Sequence, residues 1–234
     1  MTRAHLLLAF AAALAFPAAP AAAAERTYSV TDFDRVQVEG PYEVVLVTGR
    51  SASAHATGST QALEGVTVEV QSGLLRVRPN RSAWGGYAGD KAGPVRIEVS
   101  TRDLRTATVI GSGRLIIDRV RGLRTDLSLS GSGRIDVARV EADVLNLGLI
   151  GSGRLSAAGV AKQVKATVQG SADLAAGALA ADDLVLNAET AGNVAIAARR
   201  TAKVRQSGSG SVEVGGTPSC TVTTVGSGQV RCGR

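Results

Sequence analysis

Apolar residues recur at fixed distances from a repeated glycine-rich motif through the C-terminal part of the chain. The motif Gly-Ser-Gly-Arg occupies residues 111–114, 131–134 and 151–154, a spacing of 20 residues. Degenerate copies follow at steps of 18 to 20 residues and begin at Gly170, Thr190, Gly208 and Gly226. A period near 20 residues without a helical pattern predicts a solenoid.

Three positions around the motif are apolar in all seven copies: −4, +4 and +6, counted from its first residue. Position +4, for example, is occupied by Leu115, Ile135, Leu155, Leu174, Val194, Val212 and Val230. Position −2 is apolar in the first five copies and is occupied by Gln206 and Thr224 in the last two. Because residues two apart face the same side of a strand, each repeat predicts one coil with two strands, a Gly-Ser-Gly corner and a second turn.

Stacking of these coils in register keeps every apolar column inside. Short stretches such as 121–122 and 158–159 mark the second turn. The sequence therefore predicts an all-β fold, a parallel β-helix or closely related β-solenoid, with about 20 residues per coil. We expect a right-handed helix, because crossovers between parallel strands are nearly always right-handed.

The corner residues have a structural explanation. Tight corners need a positive φ, which glycine adopts without a Cβ clash. The serine at position +1 recurs in six copies, and Ala191 replaces it in the other. We expect these serines to form a stacked ladder of hydroxyls that satisfies corner backbone groups, in preference to a direct role in binding.

The chain begins with a predicted signal peptide, residues 1–24. Arg3 supplies a positive start, 6–16 an apolar core, and 22–24 a small-residue cleavage site before Glu25. We therefore expect an exported protein, periplasmic or on the cell surface. The remaining sequence has no second long apolar run, which predicts no membrane-spanning helix in the mature chain.

Residues 25–100 lack the four-letter motif but remain β-like, whereas 101–234 carry the regular solenoid repeats with a C-terminal cap. We interpret the N-terminal region as early, less regular coils or a cap, since solenoid ends need protection. One long glycine-rich segment within it, 79–93, contains Trp84 and Tyr87. These aromatic side chains are candidates for stacking on sugar rings; alternatively, Trp84 folds back over the solenoid.

Cys220 and Cys232 are the only cysteines of the chain. They lie at −6 and +6 of the last repeat, both inward positions on either side of one corner. We predict a disulfide that closes the terminal coil, which an exported compartment permits. A redox or metal site is disfavoured, because there is no Cys-x-x-Cys motif and the mature chain has the single histidine His55; we expect no cofactor.

Several segments resemble a known family. The stretch 33–49 (FDRVQVEGPYEVVLVTG), then 74–77 (LLRV) and the Gly-Ser-Gly corners are similar to the GIN-domain family, described as the head domain of autotransporter adhesins. The resemblance covers nearly all of residues 30–230. It implies an exported bacterial β-helical protein with an adhesin-like role, and it carries over no catalytic residues.

Catalysis on a polysaccharide is the weaker alternative, because β-helical enzymes need clustered carboxylates or a basic residue on one face. Asp118, Asp136 and Asp173 lie at +7, +5 and +3 and form no column. The repeats contain no histidine for a Ser-His-Asp set. A calcium-binding solenoid is also excluded. Its repeat needs an aspartate two residues after the second glycine, and this chain has core residues such as Leu115 at that position.

The strongest functional signal is electrostatic. Position +3 is Arg114, Arg134 and Arg154 in the first three copies, and it points outward between the corner and inward position +4. Further basic residues of these coils are Arg119, Arg121, Arg124 and Arg139. Like charges in line cost stability, and an anionic partner would relieve that cost. The net charge is +6 for the chain, and removal of Arg3 with the signal peptide leaves 25 basic and 20 acidic residues.

Two interpretations of these arginines remain open. As a ridge they would bind lipopolysaccharide phosphates, an acidic polysaccharide or peptidoglycan carboxylates; as a solvated rim they would keep the stacked strands soluble. We expect a non-catalytic, exported binding or adhesion-like module of the cell envelope. The alternative is a structural envelope protein with a protein partner. Nucleic acid is disfavoured by export and by an aromatic content of 3%.

Overall fold

In the computed structural model, which describes residues 24–80 and 93–233, the strands coil into a β-solenoid of about 6 turns with ~20 residues per coil. The predicted fold class is confirmed. The N-terminal elements are β1 (Ala24–Tyr28), β2 (Arg35–Glu39), β3 (Glu43–Thr48), β4 (Ser53–Gly58), α1 (Thr60–Glu64), β5 (Val66–Gln71), β6 (Leu74–Pro79) and β7 (Arg96–Thr101). The repeat elements are β8 (Thr106–Gly111), β9 (Arg114–Gly131), β10 (Arg134–Gly151), β11 (Arg154–Gly170), β12 (Asp173–Thr190), β13 (Asn193–Ser207), β14 (Ser211–Gly215), β15 (Ser219–Val225) and β16 (Gln229–Cys232).

Strands β9 to β12 each run through almost a whole coil, from position +3 of one corner to position zero of the next. The second turn is therefore a bend within a continuous strand, not the break between two strands that the sequence suggested. Gly122 and Gly159 take φ values of 155° and 125° there. The pairing of neighbouring coils shifts register close to this bend, as between Val137 and Val140. Pairing with the adjacent coil continues on both sides of the bend, which explains why the strand does not end.

Parallel, in-register stacking builds the core. Ile135 of β10 is aligned with Leu115 of β9 and Leu155 of β11, and all three side chains are fully buried. The three apolar columns predicted from the sequence are buried in every coil except the last. Burial of these aliphatic side chains is the main favourable term for such a fold.

A further coil precedes the first Gly-Ser-Gly corner. Val36 of β2 is aligned with Ala107, and Val44 of β3 with Leu115. Gly40, with φ 95°, then lies beside Gly111 at the corner. Residues 40–43 (Gly-Pro-Tyr-Glu) are thus a degenerate corner in the same register as the repeats, although they lack the four-letter motif.

The order of stacking at this end differs from the order along the chain. Strands β6 and β7 follow β2 and β3 in sequence, yet β6 pairs with β2 and β7 with β3 on the side away from β9. Antiparallel strands then cover the end: β5 on β6, β4 on β7 and β1 on β4. Helix α1, which the sequence did not predict, begins at the cap residue Ser59 and buries Ala62 and Leu63.

The last coil consists of β15 and β16, which pair with β13 and β14. Within the described residues no further coil covers it, so Val222 and Val225 are 42% and 55% exposed. The predicted disulfide is confirmed: Cys220 and Cys232 are bonded, with their Cα atoms 6.4 Å apart. Cys220 is aligned with buried Ala202 and Cys232 with buried Val214, as expected for inward positions.

Candidate functional site

The three arginines at position +3 form a ladder on the outside of the solenoid. Arg134 is aligned with Arg114 on one side and Arg154 on the other. The side chains of Arg114 and Arg154 are 46% and 50% exposed. Because neighbouring strands lie about 4.8 Å apart, the three arginine side chains leave the backbone at similar intervals along one column. We call Arg114, Arg134 and Arg154 the arginine ladder.

The corner before each arginine brings the coils unusually close. A Cβ atom placed on Gly133 would lie 2.4 Å from the carbonyl oxygen of Gly113 in the preceding coil. Backbone hydrogen bonds join the same corners: the amide of Ser132 donates to Gly111, at 3.0 Å, and the amide of Arg134 to Gly113, at 2.9 Å. These contacts hold the arginine backbones in a fixed register.

The expectation of a serine hydroxyl ladder at these corners is wrong. The corner carbonyl groups accept hydrogen bonds from backbone amides of the next coil, including those of Ser132 and Ser152. The serine side chains themselves are exposed. The recurring serine is therefore a small, solvent-exposed residue. The corner carbonyl groups are hydrogen-bonded by backbone amides of the adjacent coil and not by serine hydroxyls.

Carboxylates of the same molecule reach two of the three ladder arginines. Arg114 Nη2 lies 3.1 Å from Asp136 Oδ2, and Arg154 Nη2 lies 2.9 Å from Asp173 Oδ2. Within the described part of the chain, Arg134 has no ion-pair partner. The repulsion expected from the sequence between these like charges is therefore reduced by ion pairs at Arg114 and Arg154. The positions of the two aspartates in the repeat, +5 and +3, did not predict these ion pairs.

Acidic side chains also occupy both ends of the ladder column. Glu43 is aligned with Arg114 on one side, and Asp173 with Arg154 on the other. The pKa of Asp173 is lowered mainly by the hydrogen bond from the Arg154 guanidinium and secondly by the hydrogen bond from the backbone amide of Asn193. The Arg154–Asp173 ion pair therefore persists below the pH at which an ordinary aspartate takes up its proton.

A second cluster of charge lies at the second turn, on the N-terminal side of the repeats. A groove of about 930 Å³ is formed there by Ser72 and residues of three segments, 34–35, 103–106 and 121–126. We call it the second-turn groove. Arg121 and Arg124, noted in the sequence only as additional charge, line it together with Arg35 and Arg105. Sequence reasoning missed the groove because its three segments are distant along the chain.

The remaining candidate residues are elsewhere. Trp84 and Tyr87 lie outside the described residues. Arg139 pairs with Glu141 at 2.8 Å. His55 Nδ1 is 3.1 Å from the Thr27 hydroxyl, on the paired strands β1 and β4.

Across residues 24–80 and 93–233, no three or more side chains of His, Cys, Asp or Glu come together as a metal site. No helix in this part of the chain has the length and apolar character needed to cross a membrane.

Fold and surface together define a non-globular β-solenoid domain with charged clusters at both of its turns. The sequence pattern of a family described as "Putative auto-transporter adhesin, head GIN domain" matches residues 32–218. The chain belongs to this family, which confirms the resemblance found in its sequence. Membership indicates an adhesion-like module and an exported, surface or envelope protein.

Solved structures from other bacteria share the fold. A "putative adhesin" from Bacteroides fragilis NCTC 9343 superposes with a TM-score of 0.78 at 17% identity, covering 89% of this chain and 96% of that one. A "putative lipid binding protein" from Parabacteroides distasonis ATCC 8503 has a TM-score of 0.71 at 18% identity, with 89% and 95% covered. A "putative adhesin" from Parabacteroides merdae ATCC 43184 has a TM-score of 0.66 at 16% identity, with 89% and 95% covered. Among curated proteins, none matches the sequence significantly.

Proposed function

We propose that this protein is a non-catalytic module of the cell envelope that binds an anionic envelope polymer through the arginine ladder. The observation that carries the proposal is the alignment of Arg114, Arg134 and Arg154 on three adjacent coils, with no carboxylate partner for Arg134 in the described structure. The ligand classes are lipopolysaccharide phosphates, an acidic polysaccharide or peptidoglycan carboxylates. The protein would act in the periplasm or at the cell surface.

Guanidinium chemistry supports this assignment. Arginine forms bidentate, charge-assisted hydrogen bonds with carboxylate and phosphate groups. A polymer with closely spaced anionic groups can contact more than one rung at once, and such multivalent contacts reinforce one another.

The internal ion pairs of the ladder do not block such a ligand. Asp136 and Asp173 are partly exposed, as are their arginine partners. Exposed ion pairs contribute only about 0.2–1 kcal/mol. Exchange of a protein carboxylate for one from the polymer therefore costs little, and Arg134 offers its guanidinium without any exchange.

Co-sedimentation tests the proposal. Residues 25–234 are mixed with purified lipopolysaccharide and with peptidoglycan sacculi at low and moderate salt. We expect salt-sensitive binding that is lost when Arg114, Arg134 and Arg154 are replaced together by Ala. The matched control replaces Arg139, Arg199 and Arg200 by Ala, which removes the same charge from exposed, ion-paired arginines outside the ladder.

Equal loss of binding in the control would assign the effect to net charge and contradict the ladder. Failure of the wild-type protein to bind would leave the ladder as a solvated rim. Turnover of an acidic polysaccharide would contradict the non-catalytic assignment.

The second candidate is a structural role with a protein partner, and one observation favours it. Among the strands that the structure describes, none pairs with the outer edge of β15 and β16, and Val222 and Val225 are exposed there. Cross-linking in envelope fractions, with Val225→Glu as the variant, tests it. A cross-linked partner that Val225→Glu removes and the ladder variant retains would support this role over polymer binding.

A further inference from the structure

We infer that the second-turn groove binds the phosphate group of an anionic lipid, with Arg105, Arg121 and Arg124 contacting the phosphate and Leu123 the apolar part of the lipid. This site is separate from the arginine ladder, since it lies at the other turn of the coil. The inference does not depend on the proposed function of the ladder. The groove, at about 930 Å³, falls within the ~300–1,000 Å³ typical of small-molecule sites.

The arginines of the groove are held loosely by their carboxylate neighbours. Arg121 Nε lies 3.5 Å from Asp103 Oδ1, and Arg124 Nε lies 3.5 Å from Asp126 Oδ1. Arg105 Nε lies 3.5 Å from Asp34 Oδ2. These distances exceed those of ordinary N–H···O hydrogen bonds, whereas the ladder pairs are at 2.9 and 3.1 Å.

The nearest contact in each of these pairs is to Nε and not to a terminal nitrogen of the guanidinium. Across residues 24–80 and 93–233, these terminal nitrogens of Arg105, Arg121 and Arg124 have no hydrogen-bond partner. Their side chains are 72%, 61% and 70% exposed. Each guanidinium therefore lies beside a carboxylate, while its terminal donor pair remains available to a ligand.

The charge of the groove favours an anion. Four arginines line it against the three aspartates Asp34, Asp103 and Asp126. Asp34 is shared, because it also lies 3.7 Å from Arg35. Arg35 in turn donates a hydrogen bond to the carbonyl oxygen of Ser72. The side chains that line the groove therefore carry a net charge of one positive unit, and a phosphate oxygen suits a planar guanidinium donor.

Leu123 indicates that the ligand also has an apolar part. This side chain is 79% exposed, between Arg121 and Arg124 on the rim of the groove. In the following coils the equivalent position in the register is charged, with Asp143, Lys162 and Asp182. A leucine this exposed adds nothing to the core. Together with neighbouring arginines it matches an amphiphile, in which an acyl or other apolar segment adjoins the phosphate.

Vesicle flotation tests the inference. The protein is mixed with phosphatidylcholine vesicles that contain or lack phosphatidylglycerol. We expect binding only to the anionic vesicles, weakened about 100-fold when Arg105, Arg121 and Arg124 are replaced together by Gln, since each basic residue near an anionic surface contributes about fivefold. The control replaces Arg139, Arg199 and Arg200 by Gln, which changes the net charge equally, and it should bind like wild type.

Two further arms separate lipid from soluble phosphate and from the ladder. In the first arm, inorganic phosphate is added as a competitor of the vesicles. Leu123→Asn should weaken vesicle binding, and inorganic phosphate should still compete with the vesicles for this variant. The ladder variant should keep vesicle binding, and the groove variant should keep sedimentation with sacculi. Circular dichroism verifies that each variant is folded.

Three outcomes would overturn the inference. Equal loss in the groove and control variants would show adsorption by net charge. Saturable binding of inorganic phosphate without vesicle binding would exclude a lipid. Absence of both would remove the site altogether.

Discussion

At the scale of single residues, the two glycines of each corner serve different purposes. The first has a positive φ, as in Gly131 at 120°, which is the reason expected from the sequence. The second is required by the neighbouring coil, since a Cβ on Gly133 would lie 2.4 Å from Gly113 O. Only the stacked structure discloses this second constraint, because it arises between residues 20 positions apart.

Gly133→Ala should therefore destabilise the protein by about 2 kcal/mol or more, because a backbone carbonyl cannot move aside without disturbing the pairing of two coils. Chemical denaturation measures the change in the free energy of unfolding. Ser132→Ala is the matched control at the adjacent, exposed position, and it should change stability by less than about 0.5 kcal/mol. Similar stability of both variants would show that the corners tolerate a wider spacing.

At the scale of elements, the coil is the unit that both sequence and structure repeat. Each coil contacts mainly the one before and the one after, so stability in such folds is approximately a sum of neighbouring terms. The last coil has a neighbour on one side among the described elements, and the Cys220–Cys232 disulfide is its additional constraint. The sequence predicted this bond because both inward positions flank the same corner.

Reduction of the disulfide should loosen the last coil and leave the middle of the solenoid intact. Closing a loop of about this length stabilises by roughly 3 kcal/mol in the chain-entropy picture. Hydrogen exchange should accelerate in 219–232 and stay slow in β10 and β11. The double variant Cys220→Ser, Cys232→Ser should behave like the reduced protein. A uniform acceleration in all coils would contradict nearest-neighbour stability.

At the scale of the whole molecule, the charged clusters lie where coils or segments meet. The arginine ladder combines three consecutive coils, and the second-turn groove combines three segments from residues 34 to 126. A polymer site and a lipid site on separate turns would let one exported protein contact two components of the envelope.

Export itself is a whole-molecule prediction. Expression of the full chain in a Gram-negative host should give an exported protein whose first residue is Glu25, as intact mass and N-terminal sequencing will show. Ala22→Arg should block cleavage, because the site needs small residues. Ala24, the last residue of the predicted signal peptide, is aligned with Gly58 at the start of β1, and its removal leaves the rest of that strand. An exported chain that retains residues 1–24 would contradict the signal-peptide prediction.

The sequence by itself determined the coil length, the inward columns and the disulfide. Each of these follows from local spacing that repeats, and a repeated apolar pattern has one stacking that buries it. The same spacing placed the three ladder arginines in one column. The corner at 40–43 has the backbone geometry of the repeat but does not match it in sequence, because it keeps only one of the two motif glycines.

Only the tertiary structure decided which charges meet. The pairing of Arg114 with Asp136 depends on the register between two coils, and the groove depends on β6 and β7 stacking out of chain order beside β2 and β3. The second turn became a bend in a continuous strand because pairing with the next coil carries on through it. Contacts between coils are set by backbone stacking across distances that no local pattern records, and for that reason the sites on this surface emerged from the fold.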